Sequence, residues 1–326
     1  AMPATPLLTP VRRTILAAGL PVALILITLA GYAWVKRTVI FLASESRVGY
    51  SVGFSVPPAH GQVRVHSSDG DLSVSPGTGR RIVVHGQLSG SMVRPTFSHT
   101  WTADGLNLNP QCHVPAGNCS LNLGLTVPAR LPVNVSDSFG ALDAQDLQGT
   151  VALSDNTGDL TASRLTGKLH LIDSFGTLTA SGLAGSIQLD NNTGDIQAAG
   201  IAGDTRLQDS FGTISVTGLA AADVVARNNT GDIYLVFTKV PGQVNVTDSF
   251  GSITLVLPPG PAAYRVQTQN SFGTTTVSVP RSPSARNVIT VHNNSGDITI
   301  VTRPHPAPPT HPAPPTHPTP VPTGAG

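Results

Sequence analysis

Apolar and polar residues alternate in short runs along most of this chain, and the runs come in pairs around a glycine. Seven and five positions before successive glycines stand Val133/Val135, Val151/Leu153, Leu169/Leu171, Ile187/Leu189 and Thr205/Leu207. Two and four positions after them stand Leu142/Ala144, Leu160/Ala162, Leu178/Ala180, Ile196/Ala198 and Ile214/Val216. A period of two on both sides predicts two short strands per copy, with these side chains facing inward. A further apolar residue follows at Leu147, Leu165, Leu183, Ile201 and Leu219. Two residues beyond it come Gly149, Gly167, Gly185, Gly203 and Ala221, which mark a second corner.

The central glycines are Gly140, Gly158, Gly176, Gly194, Gly212, Gly231, Gly251, Gly273 and Gly296, with gaps of 18, 18, 18, 18, 19, 20, 22 and 23 residues. A fixed short period means stacked units. About five inward aliphatics per copy are too few to offset the ordering of eighteen residues, so no copy folds alone. Stacking supplies the missing sheet hydrogen bonds and a continuous core, which is the logic of a β-solenoid. Val63, Val65, Gly70, Leu72 and Val74 repeat the spacing in an outlying first copy.

The first corner alternates in sequence. Asp137-Ser138-Phe139-Gly140 is followed by Asp155-Asn156-Thr157-Gly158-Asp159, and Phe175, Phe211 and Phe250 recur in every second copy up to Gly251. Asn270-Ser271-Phe272-Gly273 then breaks the order before Asn293-Asn294-Ser295-Gly296-Asp297. Because like side chains stack well, the reading is a coil of two copies, with a Phe column on one corner and an Asn/Thr/Asp column on another. A flat coil of one copy, with the corner types interleaved, is the alternative. Strand parity places Phe139, Phe175, Phe211 and Phe250 inward, as core filling at a corner; a row of exposed rings gripping a glycan is the competing reading.

Outside the repeats, Thr14 to Val35 is uncharged for 22 residues, flanked by Arg12-Arg13 and Lys36-Arg37. A helix of that length spans the hydrocarbon of a bilayer, which predicts an uncleaved membrane anchor. The expected organisation is a cytoplasmic segment 1–13, a transmembrane helix 14–35, a tether 36–62, a repeat domain 63–302 and a Pro/Thr/His-rich tail 303–326. Residues 76–128 interrupt the repeat and suit a cap over the open end of the stack. Cys112 and Cys119 lie there, separated by six residues, and in an extracytoplasmic domain they are expected to pair as a local disulfide.

Composition narrows the chemistry. Net charge is +1, and beyond residue 37 no basic run exceeds the pair Arg80-Arg81, which argues against nucleic acid as a partner. Seventeen of the eighteen acids are aspartates, and those at the corners, including Asp159, Asp195, Asp232 and Asp297, are the one polar constellation. Stacked carboxylates would suit calcium, but the glycine-rich nonapeptide of calcium-binding β-rolls is missing; Asx side chains closing their own turns explain the pattern. H-E-x-x-H and a phosphate loop are absent, so no catalytic residue, cofactor or metal is expected.

The order Thr126-Val127-Pro128, Leu131-Pro132-Val133-Asn134-Val135 and then polar corners ending in Gly-Asp-Ile or Gly-Asp-Leu, with an intervening Leu-x-Gly, resembles a family. It is similar to the bacterial putative-adhesin family of β-strand repeat domains of unknown function, from about Val63 to Thr302. That resemblance implies a right-handed parallel β-helix, often membrane-anchored, and brings no catalytic residues. The sequence thus reads as an all-β solenoid preceded by one transmembrane helix. It is expected at the cell membrane with the repeats outside, and to bind an envelope glycan or a surface protein. A signalling component docking a membrane partner and a carbohydrate-active β-helix are the competing functions.

Overall fold

In a computed structural model, the described residues are 46–55, 61–67, 70–90, 96–102, 105–111 and 119–303, and every regular element among them is a β-strand. The segment Thr14–Val35 lies outside them; among the described residues no helix is long and apolar enough to cross a membrane. Cys112 and the tail from Pro304 also lie outside the described residues.

The strands form two sheets of 13 and 12 strands, and each copy gives one strand to each. Val133–Asp137 belongs to one sheet and Leu142–Gln145 to the other. In the next copy Val151 pairs in parallel with Val133, and Leu160 with Leu142. Leu178, Ile196 and Ile214 continue the second column at the same register. One copy is therefore one coil, and the two-copy coil is corrected. Both corner types occupy the same corner, in alternate coils.

The inward positions build a single core between the sheets. In several coils a large side chain on one sheet shares its layer with a small one on the other. Leu153, Leu171 and Leu189 share their coils with Ala162, Ala180 and Ala198, and where Ala226 takes the first place Leu235 takes the second, all of them buried. At the second corner Asp146 and Arg164 adopt φ of 56° and 53°, and Gly182, Gly200 and Gly218 continue the same left-handed column. An exposed ion pair, Arg164 Nε to Asp146 Oδ1 at 2.6 Å, joins the two residues without glycine's freedom.

The two ends differ from the regular middle. At the C-terminal end the last two coils exchange places. Asn287–Ser295 pairs with both Gln243–Phe250 and Tyr264–Phe272, so the earlier segment lies outermost. Ile298–Thr302 likewise sits between Ile253–Leu257 and Thr275–Ser278. At the other end Cys119–Pro128 lies parallel to Leu72–Gly77 and antiparallel to Arg81–Gly90. Ser46–Ser55, read from sequence as tether, is instead the outermost strand, antiparallel to Arg81–Gly90. Its alternation Val48, Tyr50, Val52, Phe54 carries the strand signal.

Candidate binding edge

The first corner holds three columns that run the length of the solenoid. Three positions before the glycine, the chain places Asp137, Asp155, Asp173, Asn191, Asp209, Asn228, Asp248 and Asn293, all buried. Strand parity continues inward to this position, so a polar ladder lines the corner inside. Its amides satisfy neighbouring coils: Asn191 Nδ2 donates to the Gly176 carbonyl at 3.0 Å, Asn228 Nδ2 to Gly212 at 2.8 Å and Asn293 Nδ2 to Gly251 at 2.8 Å. The carboxylates accept instead, with Asp137 Oδ1 taking the Ser138 N–H at 2.9 Å. Burial pushes the carboxyls of Asp137 and Asp173 up to about 7.

The glycines form the second column, and close approach of backbones dictates them. A Cβ on Gly158, Gly176, Gly194 or Gly212 would collide with the carbonyl oxygen of the glycine one coil before it. The position directly after the glycine reads Asp71, Ala141, Asp159, Thr177, Asp195, Thr213, Asp232, Ser252, Asp297 and Thr274 in spatial order. Each acid accepts the backbone N–H of its neighbour: Asp159 from Thr177 at 2.9 Å, Asp195 from Thr213 at 2.9 Å and Asp232 from Ser252 at 2.8 Å. These aspartates therefore tie coil to coil and do not close their own turns. Placing an acid in every second coil keeps like charges apart.

Phenylalanine makes the third column, and it faces outward. Phe139, Phe175, Phe211, Phe250 and Phe272 are 54%, 52%, 54%, 55% and 72% exposed. The core-filling expectation is overturned, for a geometric reason. The inward positions on either side of the corner are five residues apart, so alternation must fail once between them, and the bend at Ser138–Gly140 turns the ring out. Thr157, Thr193, Thr230 and Ser295 stand between the rings. Exchange of the last two coils places Ser295 between Phe250 and Phe272, so the order broken in the sequence is regular in space.

Coils about 4.8 Å apart set the rings about 10 Å apart along one edge. Among the described residues, no three His, Cys, Asp or Glu side chains are placed to hold a metal ion. One shallow groove lies where the coils meet the antiparallel cap strands, and it gathers Asp71, His85, Gln87, Asn122 and Asp143.

Three solved structures match the chain at low identity. A protein named "putative adhesin" from Parabacteroides distasonis is 13% identical with a TM-score of 0.39, over 78% of this chain and 97% of the other. Another so named, from Bacteroides fragilis, is 12% identical with a TM-score of 0.38, over 78% and 98%. A "putative cell adhesion protein" from Clostridium sporogenes is 11% identical with a TM-score of 0.23, over 78% and 100%. No curated protein matches the chain. Over residues 61–301, nearly the whole of the stacked coils, the sequence matches the family model described as Toastrack DUF4097, and the chain belongs to that family.

Proposed function

We propose that this chain is a membrane-anchored, surface-displayed binding module without catalytic activity, and that it grips an extended envelope glycan along its phenylalanine edge. The single observation behind this reading is the line of five exposed rings in one column. Leaving such rings half in water forgoes roughly 1 kcal/mol each, and a line of exposed aromatic surface marks an interaction site. Aromatic faces suit the C–H faces of sugar rings, and the hydroxyls of Thr157, Thr193 and Thr230 stand between them as hydrogen-bonding groups. A linear polysaccharide would meet one ring about every 10 Å along the rod.

In this reading Thr14 to Val35 crosses the bilayer, the helix is right-handed, a Cys112–Cys119 disulfide pins the cap, and the proline tail is a spacer. The test is binding of the full chain, in detergent, to insoluble polysaccharides and isolated envelope glycan. A double substitution F175A/F211A is expected to weaken binding tenfold or more, since two rings at about 1 kcal/mol each account for that loss. Its melting temperature should stay within a few degrees of the parent, as expected for exposed side chains. Undiminished binding would remove the edge from the reading; release of soluble sugar by the full chain would remove its non-enzymatic part.

A further inference from the structure

The buried ladder behind the phenylalanine edge contains a mismatch of donors and acceptors. Asn228 shows the satisfied arrangement. Its Oδ1 accepts the Asn229 N–H at 2.8 Å, while Nδ2 donates to the Gly212 carbonyl at 2.8 Å and to the Gly231 carbonyl at 3.0 Å. Asp209 and Asp248 fill the same position one coil before and one coil after. Their Oδ1 atoms accept the Ser210 and Ser249 N–H groups, each at 2.7 Å, as Asn228 Oδ1 does.

Their Oδ2 atoms then fall where the amide nitrogen of Asn228 falls. A Cβ built on the glycine of the same coil would lie 2.9 Å from Asp209 Oδ2 and 2.8 Å from Asp248 Oδ2, against 3.4 Å from Asn228 Nδ2. That same Cβ would strike the glycine carbonyl of the preceding coil: Gly194 for Asp209, Gly231 for Asp248 and Gly212 for Asn228. Both Oδ2 atoms are buried and have no hydrogen-bond partner among the described residues. An ionised carboxylate at this place would set an acceptor beside an acceptor, in a site sheltered from water. A carboxylic acid, with a hydroxyl in the place of the amide N–H, satisfies both.

We propose that Asp209 and Asp248 are held as neutral acids in the folded solenoid, each donating an Oδ2–H hydrogen bond to the glycine carbonyl of the preceding coil. Closing these coils therefore takes up protons. Within the ladder, Asp209 faces the neutral Asn191 and Asn228, and Asp248 faces Asn228 and Asn293. The charged groups that bear on them are carboxylates, Asp195 on Asp209 and Asp232 on Asp248, and both oppose ionisation. Burial is the largest cause and carries both acids from 3.8 up to about 6, against the lowering by the backbone N–H bonds.

The direction of linkage follows from affinities raised in the folded state. The stabilisation is fully present below the unfolded value of 3.8 and is lost as pH rises through about 6. Salt-bridged carboxylates give the opposite trend.

The experiment is thermal unfolding of the full chain in detergent at about pH 5 and about pH 8, for the parent and for D209N/D248N. The parent is expected to melt lower at the higher pH. The variant carries amides that need no proton, so it should melt about 5 °C or more above the parent at about pH 8 and close to it at about pH 5. A variant that loses the same stability at both pH values, or that melts below the parent at the higher one, would overturn the proposal. Carboxyl carbon NMR of labelled aspartates in the parent reads the protons directly. Two resonances that disappear in the variant should still report the acid form at about pH 5, and the ionised form there would equally overturn it.

Discussion

Gly194→Ala is expected to lower the melting temperature by about 10 °C or more, read by circular dichroism of the full chain in detergent. Two independent costs combine. The residue has φ of 128°, where an L side chain is strained. Its Cβ would also collide with the Gly176 carbonyl oxygen and would stand 3.4 Å from Asn191 Nδ2. The carbonyl cannot retreat, because its own peptide is held on the N–H side by the Thr177 bond to Asp159 Oδ1 at 2.9 Å. Relief requires the coils to part at this corner, with loss of the Asn191 bond to Gly176. Backbone strain of about 1–3 kcal/mol and a broken buried hydrogen bond of about 1–3 kcal/mol give a loss of roughly 2–6 kcal/mol, centred near 4, and each kcal/mol is worth about 2–4 °C in a domain of this size. Gly79→Ala separates the two costs. Gly79 has φ of 79° with nothing within 4 Å of its Cβ, so strain alone acts there and the fall should be about half as large.

The repeated glycine made the solenoid legible, together with the alternation on either side of it. Those positions are fixed by physics local to one copy: an inward side chain every second residue and no room for a Cβ at the corner. The number of copies per coil is a different kind of quantity. An alternation of period 36 is produced equally by a two-copy coil and by unlike coils stacked in turn, and only the pairing of Val151 with Val133 separates them. The second arrangement also explains why the copies differ. Asp159 and Asp195 need a neighbouring coil whose N–H they cap, and an acid in each coil would set like charges side by side.

The outward turn of Phe175 was hidden because parity is reliable within a strand and fails at a bend. A signal was nevertheless available. The same position is Thr in alternate coils, and a close-packed core does not exchange Phe for Thr between adjacent layers without compensation. The exchange of the last two coils was marked by the broken order at Phe272, whose cause is spatial: regularity is kept by Ser295 entering between Phe250 and Phe272.

Leu171→Ala should be among the most damaging truncations in the regular part of the core, at about 3–5 kcal/mol, measured as the free energy of unfolding in urea. Leu171 is fully buried, and its coil carries Ala180 as the partner position on the other sheet. Removing the leucine leaves alanine at this pair of positions on both sheets. The layers above and below cannot close the gap, since their strands are pinned by parallel pairing of Leu171 with both Leu153 and Leu189. The same balance predicts the remedy. Leu171→Ala combined with Ala180→Leu reproduces the distribution already present in the coil of Ala226 and Leu235, both buried. Ala180→Leu alone should overpack the layer at a cost of about 1–3 kcal/mol. The double substitution should therefore be more stable than the sum of the singles by at least about 2 kcal/mol. Additive losses would show that the two positions do not share a layer, and that the volume balance between the sheets is coincidental.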